Sequence, residues 1–312
     1  MAQFILFFQE IPTWAYVIVA IVLFLLLYLS IKKARKRPLK DNNPVSLSND
    51  DPITLQIPRP IVVPGNAQHI GSRTEQQDAF GFSEVSDEEF SSKYGVLALL
   101  ADGMGGLVGG KEASHLAVQA FLAHYLYSTS STFIPERLVS SLKAANEAVL
   151  QFAREHEAAG NIGTTFIAAV VLNQQLYWLS VGDSRIYLKQ GESFIQLTTD
   201  HNYGMELDEK AANGEITLEE AANDPQRESL TSFLGLESLE RIDVTIDPVP
   251  LSKGDCIILC SDGLYGSLTN HEIVEICSSF STQEAAEKLV ELAVSKNKPN
   301  QDNATVALLT IE

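Results

Sequence analysis

Between residues 95 and 110 the chain reads GVLALLADGMGGLVGG. The run from Gly95 to Ala101 is apolar and long enough for one buried strand. It breaks at Asp102-Gly103, and Gly105, Gly106, Gly109 and Gly110 follow closely. A carboxylate at the end of a buried strand is unfavourable unless something compensates its charge. Glycines beside it permit positive φ and let a ligand approach the main chain closely. Two readings stand at this point. Asp-Gly is a strong turn signal, or a hard cation is held by Asp102 with the Gly103 carbonyl as a second ligand.

The whole chain sets limits on the fold and its partners. At 312 residues it makes one large domain or two small ones, and 45% apolar content suits a sizeable core. A net charge of −18 argues against nucleic acid as the main partner. Three cysteines, Cys256, Cys260 and Cys277, are too few and too clustered for a disulfide framework. Cys256 and Cys260 sit in the apolar run CIILC, as small buried hydrophobes do. This cysteine usage fits a reducing compartment.

Residues 11–31 contain no charge and are rich in Val, Ile, Leu and Phe. About 20 such residues span a bilayer as a helix. Trp14, Tyr16 and Tyr28 stand near its ends, where interfacial aromatics collect. Lys32, Lys33, Arg35, Lys36, Arg37 and Lys40 follow. With the basic residues after the apolar stretch and no small-residue cleavage site, the pattern differs from a secretory signal peptide. The positive-inside rule assigns residues 1–10 to the outside and everything past residue 31 to the cytoplasm, on a single-pass anchor. The remainder of the chain is then more acidic than the whole, and anionic lipid repels it. Residues 32–64 read as a basic and then Pro-rich linker, with Pro38, Pro44, Pro52, Pro58, Pro60 and Pro64 interrupting any helical period. Residues 65–312 read as the folded domain.

Within that domain, strands are expected at 67–70, 79–82, 164–172, 175–181, 186–189, 194–197, 242–246, 256–260 and 304–311. Helices are expected at 110–127, 135–157, 270–279 and 282–296. Residues 200–236 change character, being rich in Asn, Glu and Ala, and read as a helical insertion. Thr217 and Glu220 match a capping box within it. Asp102, Asp183 and Asp262 each follow an apolar strand, while Asp302 precedes one. An antiparallel arrangement can bring those four ends to one rim. Unpaired carboxylates there repel one another, and all-oxygen ligation of Mg²⁺ or Mn²⁺ offsets that.

The motifs GSRTEQQDA, LLADGMGG, NIGTTF, VGDSRIYL, LTTDHN, LTSFLG, LCSDGLYG and QDNATV occur in this order between about residues 68 and 311. In them the sequence resembles the metal-dependent, type 2C Ser/Thr protein phosphatases. The resemblance implies an α+β fold, a four-layer α-β-β-α sandwich of two antiparallel sheets flanked by helix pairs. It also implies roles for particular residues. Asp102 would bridge two metals, with the Gly103 carbonyl on one. Asp262 and Asp302 would ligate the other, and Asp78 would hold metal-bound waters. Asp183 would support, with Asp262, a third and weaker metal. Arg73 matches the phosphate-binding arginine, whose planar fork suits two phosphate oxygens. A water between the two Mn²⁺ or Mg²⁺ ions, its pKa lowered by them, would attack phosphorus directly.

Two departures stand out. Gln76 occupies a position where Asn is common. Met104 stands where many eukaryotic members carry a His proposed as general acid, which makes the chain bacterial-type. His201 lies in a matched motif but belongs to the insertion. The implied activity is hydrolysis of phosphoserine and phosphothreonine in proteins, opposing a Ser/Thr kinase. A catalytically weak sensor or scaffold of the same family is the alternative.

Overall fold

The structure is a computed structural model that describes residues 61–83, 88–104, 109–128, 131–158 and 160–312. Strand β3 (Val96–Met104) shows why its first six residues carry no polar side chain. Side chains alternate across a strand. Leu97, Leu99 and Ala101 enter one core, while Val96, Ala98 and Leu100 enter another. Both faces are buried, so both need apolar residues. The strand continues through Asp102-Gly103 to Met104. Asp102 therefore lies within the strand, neither at its end nor in a turn.

The strands form two antiparallel sheets. One has the order β1 (Val62–His69), β12 (Ala304–Ile311), β11 (Cys256–Cys260), β7 (Arg185–Gln190), β8 (Ser193–Gln196). The other has the order β10 (Val249–Pro250), β6 (Gln175–Val181), β5 (Phe166–Leu172), β3, β2 (Asp78–Phe82), with β4 (Gly163–Thr164) on β3 and β9 (Asp243–Val244) on β6. Ala98, Leu100, Ile167 and Ala169 of the second sheet meet Ile186, Leu188, Ile257, Leu259 and Leu309 of the first in a shared core. Helices α2 (Gly110–Tyr127) and α3 (Ile134–Glu155) cover the second sheet through Ala117, Phe121, Leu138 and Leu142. Helices α7 (Asn270–Ser279) and α8 (Thr282–Ser295) cover the first through Ile273, Ala286 and Leu289. Four layers result, as expected. Cys256 and Cys260 face that helix layer, and all three cysteines are free.

Several boundaries differ from the sequence reading. β1 begins at Val62 and includes Pro64, so the sheet starts inside the stretch read as linker. Pro64 is tolerated because β1 is an edge strand, paired only with β12. The strand expected at 164–172 is divided at Thr165. The one expected at 242–246 shrinks to β9. Two short helices, α1 (Glu88–Tyr94) and α6 (Asp262–Tyr265), and strand β10 have too few residues for a periodic signal. The insertion carries α4 (Tyr203–Ala212) and α5 (Leu218–Asn223), and Thr217 and Glu220 form the anticipated capping box. The described residues lie within one compact unit. No helix among the described residues is long and apolar enough to cross a membrane. The stretch 11–31, and with it the expected anchor, lies outside the described residues.

Arg137 of α3 is 1% exposed. Its Nε donates to Tyr125 O at 2.6 Å and its Nη1 to Ser131 O at 2.9 Å. Its guanidinium carbon lies 4.0 Å from the centroid of the Tyr94 ring. The cation thus caps the carbonyl-rich end of α2 and rests on an aromatic face. Arg137→Met keeps the stem and removes the donors, leaving buried carbonyls unsatisfied. Urea denaturation should show a loss of about 1–6 kcal/mol, from one or two orphaned acceptors at roughly 1–3 kcal/mol each. An unchanged midpoint would show that the capping contributes nothing.

Candidate metal centre

Antiparallel pairing of β2 with β3 sets Asp78 directly opposite Asp102. Like charges in that position oppose pairing, yet the register is held along the full length of β2. It is set by Phe80 and Phe82 opposite Leu100 and Ala98, and by the burial of β3 on both faces. The backbone around Asp102 is fixed further. Its N–H donates to Thr165 Oγ1 at 3.0 Å, and its carbonyl accepts from Thr165 N–H at 2.9 Å and Thr164 Oγ1 at 2.8 Å. Next to it, a Cβ on Gly103 would stand 2.0 Å from Gly110 O and 2.6 Å from Gln77 O. No side chain fits there, so the main chain itself is what Gly103 presents.

The first sheet supplies the facing carboxylates. Asp262 opens α6 directly after β11, and Asp302 precedes β12. Their segments approach so closely that a Cβ on Gly263 would meet Asn303 O at 2.0 Å. Arg73 Nη2 donates to Asp302 Oδ2 at 2.6 Å. The guanidinium expected on substrate phosphate therefore pairs here with an expected metal ligand, and both side chains stay partly exposed. Asn303 ties this loop to the sheet. Its Oδ1 accepts from Gln77 N–H at 2.7 Å, and its Nδ2 donates to Ile70 O at 2.9 Å and Glu75 O at 3.1 Å. Gln76, the departure noted above, accepts from Asp78 N–H through Oε1 at 3.1 Å.

Asp183 follows β6 after Gly182, and it is held from two sides. The Tyr265 hydroxyl donates to Asp183 O at 3.1 Å. Arg185 stacks on the Tyr265 ring at 3.7 Å and grips Asp200 with Nε to Oδ1 at 3.0 Å and Nη2 to Oδ2 at 2.7 Å. On the other side His201 accepts the Gly182 N–H. Ser184 Oγ lies 2.7 Å from Thr165 Oγ1, which joins the Asp183 loop to Asp102.

These carboxylates act on one another through charge. Burial, then Asp78, Asp262, Asp183 and Asp302, drive the Asp102 carboxyl well above the usual carboxylate range. Burial raises Asp78 to about 7, with Asp262 and Asp302 adding to it. Burial, then Asp262 and Asp200, raises Asp183 to about 7. Burial, then Asp302, raises Asp262 to about 6, against the pull of Arg73. Ser261 Oγ donates to Asp78 Oδ2 at 2.8 Å. Asp78 Oδ1 and Asp262 Oδ1 are buried with no hydrogen-bond partner.

Among the described residues no group of three or more His, Cys, Asp or Glu side chains is arranged to hold a metal ion. The donor chemistry nevertheless fits hard divalent cations. It is all oxygen, strongly anionic, and leaves two buried carboxylate oxygens unsatisfied. A 290 Å³ cavity lined by Gln68, Gln76, Asp78, Phe80, Lys111 and His115 opens beside Asp78, and a 150 Å³ one adjoins Asp262, Lys298 and Asp302.

The sequence-predicted residues Asp78, Asp102, Gly103, Asp183, Asp262, Asp302 and Arg73 thus come to one region. Of the residues that hold them, Gln76 and His201 stand out in the sequence, whereas Ser261, Asn303 and Thr165 do not. Ser261 and Asn303 could have been found, since each is the neighbour of a candidate ligand. Thr165 carried no local signal, because its partner Asp102 is 63 positions away.

Comparison with known proteins agrees with this arrangement. Residues 66–305 match the family described as Protein phosphatase 2C. The chain is 32% identical over 242 residues to the serine/threonine phosphatase Stp of Listeria innocua, covering 76% of this chain and 90% of that protein. It superposes on the serine/threonine phosphatase PstP/Ppp of Mycobacterium tuberculosis with a TM-score of 0.66 at 28% identity, covering 80% of this chain and 99% of that one. A catalytic domain of PstP in complex with two manganese ions matches with a TM-score of 0.64 at 27% identity, covering 81% and 99%. The chain belongs to the protein phosphatase 2C family, and is a bacterial-type protein-serine/threonine phosphatase.

Proposed function

We propose that this phosphatase is Mn²⁺- or Mg²⁺-dependent and acts on phosphoserine and phosphothreonine of proteins from the cytoplasmic face of a membrane. The observation that carries the metal reading is the rim itself. Asp78 and Asp102 are forced opposite one another, Asp183, Asp262 and Asp302 add charge, and two buried carboxylate oxygens lack partners. Asp102, the Gly103 carbonyl, Asp262 and Asp302 would hold two cations, with Asp78 placed for their waters and Asp183 for a third, weaker one. When bound, such cations supply Lewis acidity and a water that is nucleophilic near neutral pH.

The chain's own groups do the rest. Arg73 sits on a loop fixed by Asn303, with guanidinium donors beyond the one given to Asp302, and can orient a phosphoryl group by two parallel bonds. Asp302 in turn positions Arg73. Met104 offers no proton, so the leaving hydroxyl must draw one from elsewhere at the rim. The relative solved with two manganese ions supports this cation choice. An opposing Ser/Thr kinase is the expected source of the substrates.

Phosphate release from a phosphothreonine peptide tests the chemistry. Chelation should abolish it and Mn²⁺ restore it. Asp102→Asn and Asp262→Asn should each lose at least about 100-fold, beyond the ~10–100-fold that changes in supporting residues cost. Metal-independent turnover in either variant would sink the cation mechanism.

A second test uses stability. A carboxyl whose pKa folding has raised binds its proton more tightly when folded, so stability from that group falls as pH climbs through the raised value. For Asp262, at about 6, and Asp78 and Asp183, at about 7, that loss is complete above neutrality. Cations require the deprotonated carboxylates, so Mn²⁺ should raise Tm little at about pH 5 and strongly at about pH 7.5. Equal shifts at both would contradict cation binding at these groups.

The membrane reading is supported by the uncharged stretch 11–31 and the basic residues that follow it. A fragment of residues 61–312 should be soluble and active, while the full chain should sediment with membranes and allow labelling of Cys277 only from the cytoplasmic side. An active full chain that stays in the soluble fraction would overturn the anchor.

A further inference from the structure

His201 is 2% exposed, and both ring nitrogens are engaged. Its Nδ1 accepts the Gly182 N–H at 3.2 Å. Its Nε2 faces Asp243 Oδ1 at 3.4 Å. An acceptor at Nδ1 requires a lone pair there, so the proton sits on Nε2, directed at the Asp243 carboxylate. The charged ring would set an N–H against the Gly182 N–H. One tautomer alone satisfies both contacts.

The backbone of His201 is as tightly engaged as its ring. Its N–H donates to Gly182 O at 3.0 Å, and its carbonyl accepts from Thr231 N–H at 2.9 Å. Thr231 lies on the returning limb of the insertion, whose base is closed by Tyr203 N–H to Ser229 O at 2.9 Å and Gly204 N–H to Arg227 O at 2.7 Å. Asp243 also accepts from Thr199 N–H at 3.0 Å, which fixes the outgoing limb. His201 is therefore where three pieces meet: the base of the 200–236 insertion, strand β9, and the loop that carries Asp183. Gly182 is itself constrained, at φ +100° and packed against Thr165.

We propose that His201 is a positioning residue, which fixes the Asp183 loop through the Gly182 amide and couples the insertion to the reaction rim. The proposal rests on the phosphatase reading above. It assigns no proton transfer to His201. A displacement at the base of the insertion moves the imidazole, and with it the placement of Asp183.

Two substitutions separate the ring's contacts. In His201→Asn the side-chain oxygen occupies the place of Nδ1 and can still accept from Gly182. In His201→Gln the amide nitrogen reaches toward Asp243, and the acceptor for Gly182 is lost. His201→Gln should lower kcat about tenfold with KM nearly unchanged, the factor that one hydrogen bond's free energy corresponds to. His201→Asn should restore kcat to within about twofold of the wild type. A merely structural histidine would lower Tm in both variants and leave kcat alone, and that result overturns the proposal.

The unaltered protein offers an independent measurement. Nitrogen NMR of ¹⁵N-histidine-labelled full-length chain at neutral pH should show His201 protonated at Nε2 and bare at Nδ1, with the Gly182 amide protected from exchange. A proton on Nδ1 overturns the proposal whether or not the variants fold. Absence of phosphate release by wild-type protein with Mn²⁺ would instead count against the phosphatase reading, and the nitrogen spectrum would still decide the role of His201.

Discussion

The structure depends on a repulsion that folding does not remove. β2 and β3 pair so that Asp78 and Asp102 stand face to face. Moving β2 by one residue would separate them. It would also turn Ala79 away from the core and reverse the sides of the whole strand. The apolar burial of β3 on both faces outweighs the electrostatic cost, so the carboxylates stay where packing sets them. Their charge must then be met by protons or by cations: burial and neighbouring charge raise Asp78 to about 7 and Asp102 well above the usual carboxylate range, and nearby Asp183 and Asp262 to about 7 and about 6.

The two sheets divide the labour. The second sheet supplies Asp78, Asp102 and Asp183 from β2, β3 and the end of β6. The first supplies Asp262 and Asp302 from the same end of the antiparallel β11–β12 pair, where β11 finishes and β12 begins. The shared core of Leu100, Ile167, Leu188, Ile257 and Leu309 holds the sheets at a fixed separation. Around the rim lies a polar frame of Thr165, Ser261, Asn303, Tyr265 and His201. These residues bond mostly to backbone, so they position segments rather than contribute charge.

The insertion is built differently from the sheets. α4 and α5 bury little beyond Leu207 and Ala221, and they are held by the Asn202 cap on α4, the capping box on α5 and a partly exposed Arg227–Asp208 pair at 2.8 Å. Surface pairs of this kind contribute at most about 1 kcal/mol. The attachment that matters is at the base, where buried His201 meets the Asp183 loop through Gly182.

Much of this was legible in one dimension. Period-two and helical apolar patterns located the long strands and helices, because each buries a face whose spacing is set by backbone geometry. α7 and β12 have the expected limits, since a capping residue starts one and a ladder partner runs the length of the other. The candidate ligands could be named because a carboxylate beside a buried strand is costly and so conspicuous. The sequence determined which residues carry charge and which are buried. Only the tertiary structure decided that Asp102 lies within a strand opposite Asp78, that Arg73 pairs with Asp302, and that His201 holds Gly182. Those contacts join residues from 19 to 229 positions apart. They follow from sheet register and loop closure, which no local pattern encodes.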